Sequence, residues 1–479
     1  MRAGFLAWAA LYLPLAAAAQ TQTPAAQEPA QTQPWRPKET ADASLITENV
    51  AWSRYLHDAL ALPEWLDVAV EQRTRFEYLA QPFRGGEPGT QTQYPIRSRL
   101  RIGVDAPGGF RFLAELQDSR VFGDGPNDFT GSEQDRLSFA QLFASYTKRE
   151  LFGTALRADV HVGRMSLDFG SRRLIARNGY RNTTNAFDGV HLALGDPAAW
   201  RVRAFYVEPV ILDERAWEDK SYGSQRLWGT AFEDKHVPWL NFDVYYFGLH
   251  DRRTNGSTLG RSYETFGARA LRVPKLDQWD YELEAMGQFG QRTITRGGVP
   301  TQLDQQAFYG HAELGYTFAV PWSPRLVGQF DYASGNPNPT GDDSGTFDPL
   351  FGARRGDLIA TGIYGPFRRS NILSAGGRLL IVPRPDLKAW LKVRYWQLAQ
   401  SKDTFAGNGL TDASGDAGDK LGTDIELSAQ WTPAPWLTLE TGYDHWFKGS
   451  YLNDVPEPAA GPISVVDSDY VYVSVMVRL

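Results

Sequence analysis

From residue 64 to its end the chain alternates apolar and polar side chains with a period of two. LDVAVEQRTRFEY (66–78) sets Leu66, Val68, Val70, Phe76 and Tyr78 against Asp67, Glu71, Arg73, Arg75 and Glu77. YPIRSRLRIGVD (94–105) sets Ile96, Leu100, Ile102 and Val104 against Arg97, Arg99 and Arg101. The alternation recurs in WDYELEAMGQF (279–289) and LKAWLKVRYW (387–396). Successive side chains of a strand point to opposite faces, so each segment is predicted to be a strand with one apolar and one charged face.

About eighteen such strands are predicted, joined by connections that alternate between short and long. The short ones are APGG (106–109), GDPAA (195–199), VPKLD (273–277), VPWSP (320–324), VPRP (382–385) and TPAP (432–435). Between them lie Gly/Asp-rich loops near 80–93, 120–136, 166–184, 208–223, 250–261, 291–305, 336–369, 398–420 and 448–466. A transmembrane β-barrel has short periplasmic turns, long extracellular loops and an even strand number; a soluble lectin-like or lyase-like β-protein has no reason to sort loops by parity. The predicted fold is therefore all-β, a transmembrane antiparallel up-and-down barrel over residues 64–479. The closing strand DSDYVYVSVMVRL, with Val471, Val473, Val475, Val477 and Leu479 on one face, fits this reading. So do aromatics near strand ends, taken as interfacial girdles: Trp279, Tyr316, Phe318, Trp322, Trp431, Trp436, Tyr443 and Trp446.

Membrane energetics orient the strands. An arginine on the lipid face costs about 2–4 kcal/mol near the midplane. Three would cost about 6–12 kcal/mol, comparable to a domain's whole stability. Arg97, Arg99 and Arg101 must face the lumen. Same-face neighbours about 6.8 Å apart repel by about 0.6 kcal/mol in water and about 2.4 kcal/mol at an effective dielectric near 20, which a water-filled lumen tolerates. The same parity turns Arg73, Arg75, Arg111, Arg201, Arg203, Arg269, Arg378, Lys388, Lys392, Arg394, Trp390 and Trp396 inward. Glu71 and Glu77 share a face with Arg73 and Arg75 and are expected to brace them. Arg97, Arg99 and Arg101 have no acid on their own lumen face before Asp105 and are expected to meet solute. Lys388, Lys392 and Arg394 lie near Asp424 and Glu426 of the next strand and fit either role. Trp390 and Trp396 could stack on sugar rings or pack an inward-folded loop.

Composition narrows the class. The 479 residues carry a formal net charge of −7 and no Cys, so the chain as a whole is no nucleic-acid binder and needs no disulfides. MRAGFLAWAALYLPLAAAAQ has a basic start, an apolar stretch and an A-x-A site, the pattern of a signal peptide over 1–19. A Pro/Gln-rich linker follows over 20–43, then a short amphipathic helix within 44–63. The seven histidines (57, 161, 191, 236, 250, 311 and 445) show no paired ligand spacing, and HExxH, GxSxG, P-loop and dinucleotide patterns do not occur. A barrel enzyme is therefore disfavoured and no cofactor is expected. NGLTDASGDAGD (408–419) is Asp/Gly-rich but lacks EF-hand spacing, so a solvated loop is expected there rather than calcium.

Several stretches resemble the outer-membrane alginate export family. They are GRMSLDFGSRRL (163–174) with FDGVHL (187–192), DYASGNPNP (331–339) with GTFDPLFG (345–352), LGTDIELSAQW (421–431) and LETGYDHWFKGSYL (439–452). The chain departs from the family pattern at Met165 and at ARRGDLIATG after LFG. The resemblance implies an eighteen-stranded monomeric barrel in the outer membrane of a Gram-negative-type bacterium, passing an anionic uronate polysaccharide through an arginine-rich lumen. The expected activity is passive export of such a polymer; uptake of small anionic solutes or oligosaccharides is the alternative. Expected partners are outer-membrane lipid and lipopolysaccharide, the anionic solute, the barrel-assembly machinery through the C-terminal strand, and periplasmic secretion proteins. Loops 336–369 and 120–136 are the expected gates.

Overall fold

The computed structural model of the chain describes residues 54–479 apart from 88, 125–130, 132, 197–198, 222, 238, 253–257, 356 and 458–460. The signal peptide (1–19), the linker (20–43) and the first part of the 44–63 segment lie outside the described residues. Of that last segment, Tyr55–Ala59 is a single helical turn.

Among the described residues, nineteen strands make one sheet. In chain order they are β1 (Leu66–Ala80), β2 (Thr90–Ala106), β3 (Phe110–Gly123), β4 (Asp135–Lys148), β5 (Arg157–Met165), β6 (Phe187–Asp196), β7 (Trp200–Pro209), β8 (Gln225–Val237) and β9 (Leu240–Asp251). They continue as β10 (Thr258–Arg272), β11 (Gln278–Arg296), β12 (Val299–Thr317), β13 (Arg325–Ala333), β14 (Asp343–Ser344), β15 (Ile372–Arg384), β16 (Leu387–Gln397), β17 (Lys420–Ala434), β18 (Leu437–Lys448) and β19 (Ser468–Arg478). The two residues of β14 lie parallel on β12. Every other strand pairs antiparallel with the next, and β19 closes on β1 in a register that sets Arg73 opposite Met476. The result is an eighteen-stranded closed barrel.

The seam is hydrogen-bonded to the last residue. Val70 and Leu479 exchange N–H···O bonds of 2.9 Å, and Arg478 pairs with Glu71 at 2.9 Å. Closure leaves no open strand edge, as a segment surrounded by hydrocarbon requires. The period-two reading holds along the wall. Ile102, Leu283, Leu314, Leu326, Leu427 and Val473 are exposed on the outside. Inside, Arg97, Arg99 and Arg101 are only 2%, 5% and 5% exposed.

Two expectations need correction. No long loop occupies 291–305, because β11 and β12 pair through that stretch and turn at Gly297–Gly298. Both glycines have positive φ (57° and 81°), the conformation of a two-residue hairpin turn. The polar alternation there is that of a strand pair, not of a loop. Trp446 is no girdle residue; it faces inward, fully buried against Phe83 and Phe367.

The wall energetics are open to measurement. Leu100→Arg would place a guanidinium on the lipid face and is expected to destabilise the barrel by about 2–4 kcal/mol. Urea titration in lipid vesicles measures it, and a change below about 1 kcal/mol would contradict the assigned orientation.

Candidate functional site in the barrel lumen

Two connections fold into the barrel: residues 166–186, between β5 and β6, and residues 334–371, between β13 and β15. They form one body. Phe351 N–H donates to Leu174 O (2.8 Å), Ala176 N–H to Phe351 O (3.2 Å) and Ala353 N–H to Arg172 O (2.9 Å). The approach is too close for a side chain at Gly352, where a Cβ would lie 1.8 Å from Arg173 O. The 336–369 segment was expected to fold inward; its partner 166–186 was not singled out.

One side of this plug is apolar. Phe367 stacks on Trp396 at 4.0 Å between ring centroids, and Tyr364 stacks on Tyr470 at 5.1 Å. Leu358, Ile359, Ile363 and Phe347 are buried with them. The inward tryptophans meet the second inner loop: Trp396 lies under Phe367, and Trp390 lies under the Arg355 guanidinium at 5.4 Å while its Nε1–H donates to Glu426 of the wall at 2.7 Å.

The other side is polar. Arg73 donates to Gly179 O (3.1 Å), Tyr180 O (2.9 Å), Arg181 O (3.1 Å) and Asn182 Oδ1 (3.2 Å). Arg75 donates to Tyr180 O (2.9 Å), and Arg97 to Gly179 O (2.8 Å) and Arg181 O (3.0 Å). Plug arginines reach the wall in return. Arg173 pairs with Glu282 (2.7 Å) and Glu284, and Arg177 with Glu115. Arg355 pairs with Glu426 (2.6 Å) and Glu440 (3.1 Å).

The arginines of β2 find acids after all, on neighbouring strands. Arg97 pairs with Glu71 (2.7 Å), Arg99 with Glu71 (3.3 Å) and Glu115 (3.6 Å), and Arg101 with Asp67 (3.5 Å). Arg75 is braced by Glu77 at 2.5 Å, and Arg111 meets Asp67 (3.0 Å) and Asp105 (2.9 Å). Arg201 and Arg203 share Glu233 (2.5 and 3.4 Å), and Arg203 also lies over the Phe169 ring at 3.7 Å. Arg269 pairs with Asp243 (2.7 Å), Lys392 with Glu426 (2.9 Å) and Arg394 with Asp331 (2.6 Å). Lys388 is half-buried near the start of β16. In the 408–419 loop, both Asp412 oxygens accept turn N–H groups, from Ser414 (3.0 Å) and Ala417 (2.8 Å).

A different set of arginines stands out because it forms no close ion pair among the described residues. Arg84 of the β1–β2 loop donates to Ile363 O and Tyr364 O, both at 2.8 Å, and Arg354 donates to the next carbonyl, Gly365 O, at 2.8 Å. Arg368 follows that turn and is exposed. Arg181, on the first inner loop, donates to Asn185 Oδ1 at 2.8 Å. Among the described residues no carboxylate lies within ion-pair distance of these four. Burial, then the charges of Arg368, Arg84, Arg181 and Arg369, hold the Arg354 guanidinium well below the usual arginine range. Two carboxylates act on the set from further away, Glu87 and Glu133 on Arg84 and Glu133 of the β3–β4 loop on Arg181 and Arg368. Sequence reasoning missed this cluster because loops have no strand parity; the signal within reach was ARRGDLIATG, which contains Arg354.

The family model described as "Alginate export" matches residues 64–463. No curated protein matches the chain. Among solved structures, OccD3 (OpdP) of Pseudomonas aeruginosa aligns over 87% of this chain and 91% of its own, with 11% identity and a TM-score of 0.53. OccK8 (OprE) of the same organism aligns over 86% and 98%, with 12% identity and a TM-score of 0.55. OccK2 (OpdF), also from P. aeruginosa and solved with glucuronate, aligns over 86% and 98%, with 11% identity and a TM-score of 0.54. At these identities the likeness is one of fold.

The plug's apolar seat makes a testable demand. Phe367→Ala removes the ring stacked on Trp396 and is expected to cost about 3–5 kcal/mol of plug packing. Limited trypsin digestion of the folded barrel then cleaves faster after Arg354 and Arg368; an unchanged digestion rate would argue against that seat.

Proposed function

The chain belongs to the alginate export family, and from that premise we propose that it is a passive channel selective for anionic solutes, a uronate-type polysaccharide first among them. It is an outer-membrane multi-pass β-barrel. Loops lie at the long-connection end, which faces outward in such barrels. One observation supports the anion preference: inward wall charges largely cancel in cross-strand pairs, whereas among the described residues Arg84, Arg181, Arg354 and Arg368 have no carboxylate within ion-pair distance. Fixed positive charge along a pore lowers the cost of bringing in a carboxylate and raises that of a cation. The wall arginines keep a second role in this reading. When the plug withdraws, Arg73, Arg75 and Arg97 lose the carbonyls of residues 179–181 and turn their N–H groups to the passing solute.

A second reading, a porin for small acids, draws on the plug itself and on the relative solved with glucuronate. A lumen filled by two loops fits a single uronate more readily than a chain.

Planar-bilayer recordings test both. The expected channel prefers anions several-fold, and Arg354→Gln with Arg368→Gln moves the anion-to-cation permeability ratio towards one. A cation-preferring channel, or an unchanged double variant, would overturn the proposal. Vesicle uptake of glucuronate against long uronate chains separates the two readings.

A further inference from the structure

We propose that a groove in the outer wall binds one acyl chain of a phospholipid from the periplasmic leaflet, holding that lipid apart from the fluid lipid around the barrel. The site is independent of what passes through the lumen.

The groove lies across β11 to β16 and measures about 790 Å³, within the range of about 300–1,000 Å³ of pockets that hold small molecules. Its floor is two glycines, Gly328 of β13 and Gly377 of β15, which stand directly opposite each other in the sheet. The same row continues to Leu314 of β12 on one side and Val393 of β16 on the other. The floor is thus two strands wide between apolar banks. Leu314, Tyr316 and Phe318 form one bank, Leu391 and Val393 the other. Trp279 props the first bank. Its ring meets Tyr316 at 5.2 Å in a T-shaped contact, and Tyr316 meets Phe318 in the same way at 4.8 Å.

Nothing inside the protein calls for glycine at the two floor positions. Neither has a left-handed backbone. A Cβ at Gly328 would meet no atom within 4 Å, and one at Gly377 would meet only Val327 O at 3.4 Å, an ordinary contact. Both residues face outward and are exposed. Glycine in a strand interior weakens the strand and often marks a place where a ligand approaches closely.

Position decides which ligand. The groove is a recess in the lipid contact of an outer-membrane barrel. Water needs two to four polar partners, and the banks offer side chains that are apolar or aromatic. Phe318 precedes the short 320–324 turn and Trp279 follows the short 273–277 turn, so this is the periplasmic end of the wall. Trp279 and Trp322 are each 58% exposed, as girdle residues at headgroup level are. From Phe318 to Leu314 the bank runs about 14 Å along the strand, close to one leaflet of the apolar band of about 25 Å around such barrels. A chain from the periplasmic leaflet lies lengthwise there; lipopolysaccharide chains enter from the other end. A second copy fits poorly, because a twofold interface sets a patch against itself and here would set recess against recess.

Native mass spectrometry of the full-length barrel, released from micelles holding equal amounts of phosphatidylethanolamine and lipid A, reads the occupancy. The expected spectrum contains barrel with one phosphatidylethanolamine retained. Gly328→Leu with Gly377→Leu fills the floor and lowers that population several-fold. Ala204→Leu, between exposed Val202 and Tyr206 on β7, leaves it unchanged. Gly328→Val alone is expected to lower it at least two-fold and serves if the double substitution prevents folding. No retained lipid, retention that both filled grooves leave intact, preference for lipid A, or a dimer that the substitutions dissociate would overturn the proposal.

Discussion

The lumen is organised by hydrogen bonds from wall guanidiniums to the backbone of an inward-folded loop. Arg73, Arg75 and Arg97 give their N–H groups to the carbonyls of Gly179, Tyr180 and Arg181. A loop inside a barrel must satisfy backbone polar groups away from bulk water, and each buried one left unpaired costs about 1–3 kcal/mol. A charged donor is suited to this task, since hydrogen bonds to charged groups contribute about 1.5–3 kcal/mol. The arginine stripe therefore makes it possible for the first inner loop to lie where it does. The second inner loop follows, because its Phe351 pairs with the first through backbone bonds.

The two sides of the plug are held by different physics. Aromatic stacking on β16 and β19 is insensitive to salt, while the contacts with β1, β2 and β11 are charge-assisted and sit in a confined polar space. Burying those charges is tolerable only because acids and carbonyls surround them; a lone guanidinium there would lose its hydration without return. Much of the wall charge is thereby committed to structure.

Much of this was legible in the sequence. Alternation gave the strands, membrane cost gave their facing, and loop-length parity gave the barrel. What parity along one strand cannot supply is the neighbour across the sheet. Arg99 seemed unpaired because its acids, Glu71 and Glu115, stand on β1 and β3. Trp446 read as a girdle residue because proximity to a strand end does not reveal that Phe83 and Phe367 cover it. The inward fold of the loop at 166–186 was missed for a related reason. Its Leu167, Phe169, Leu174 and Ile175 have no strand period, and only the surrounding wall explains why they are buried.

The joint between Ile175 and Phe351 also dictates an order of assembly. The two segments it connects are separated in the chain by the eight strands β6 to β13. Contacts of such long sequence separation form late, after the intervening chain has been fixed in space. The seam between β1 and β19 joins segments further apart still, so by the same reasoning the joint within the lumen forms before the wall closes. A barrel that closes on a lumen already filled has no open stage through which solutes could leak across the cell's permeability barrier.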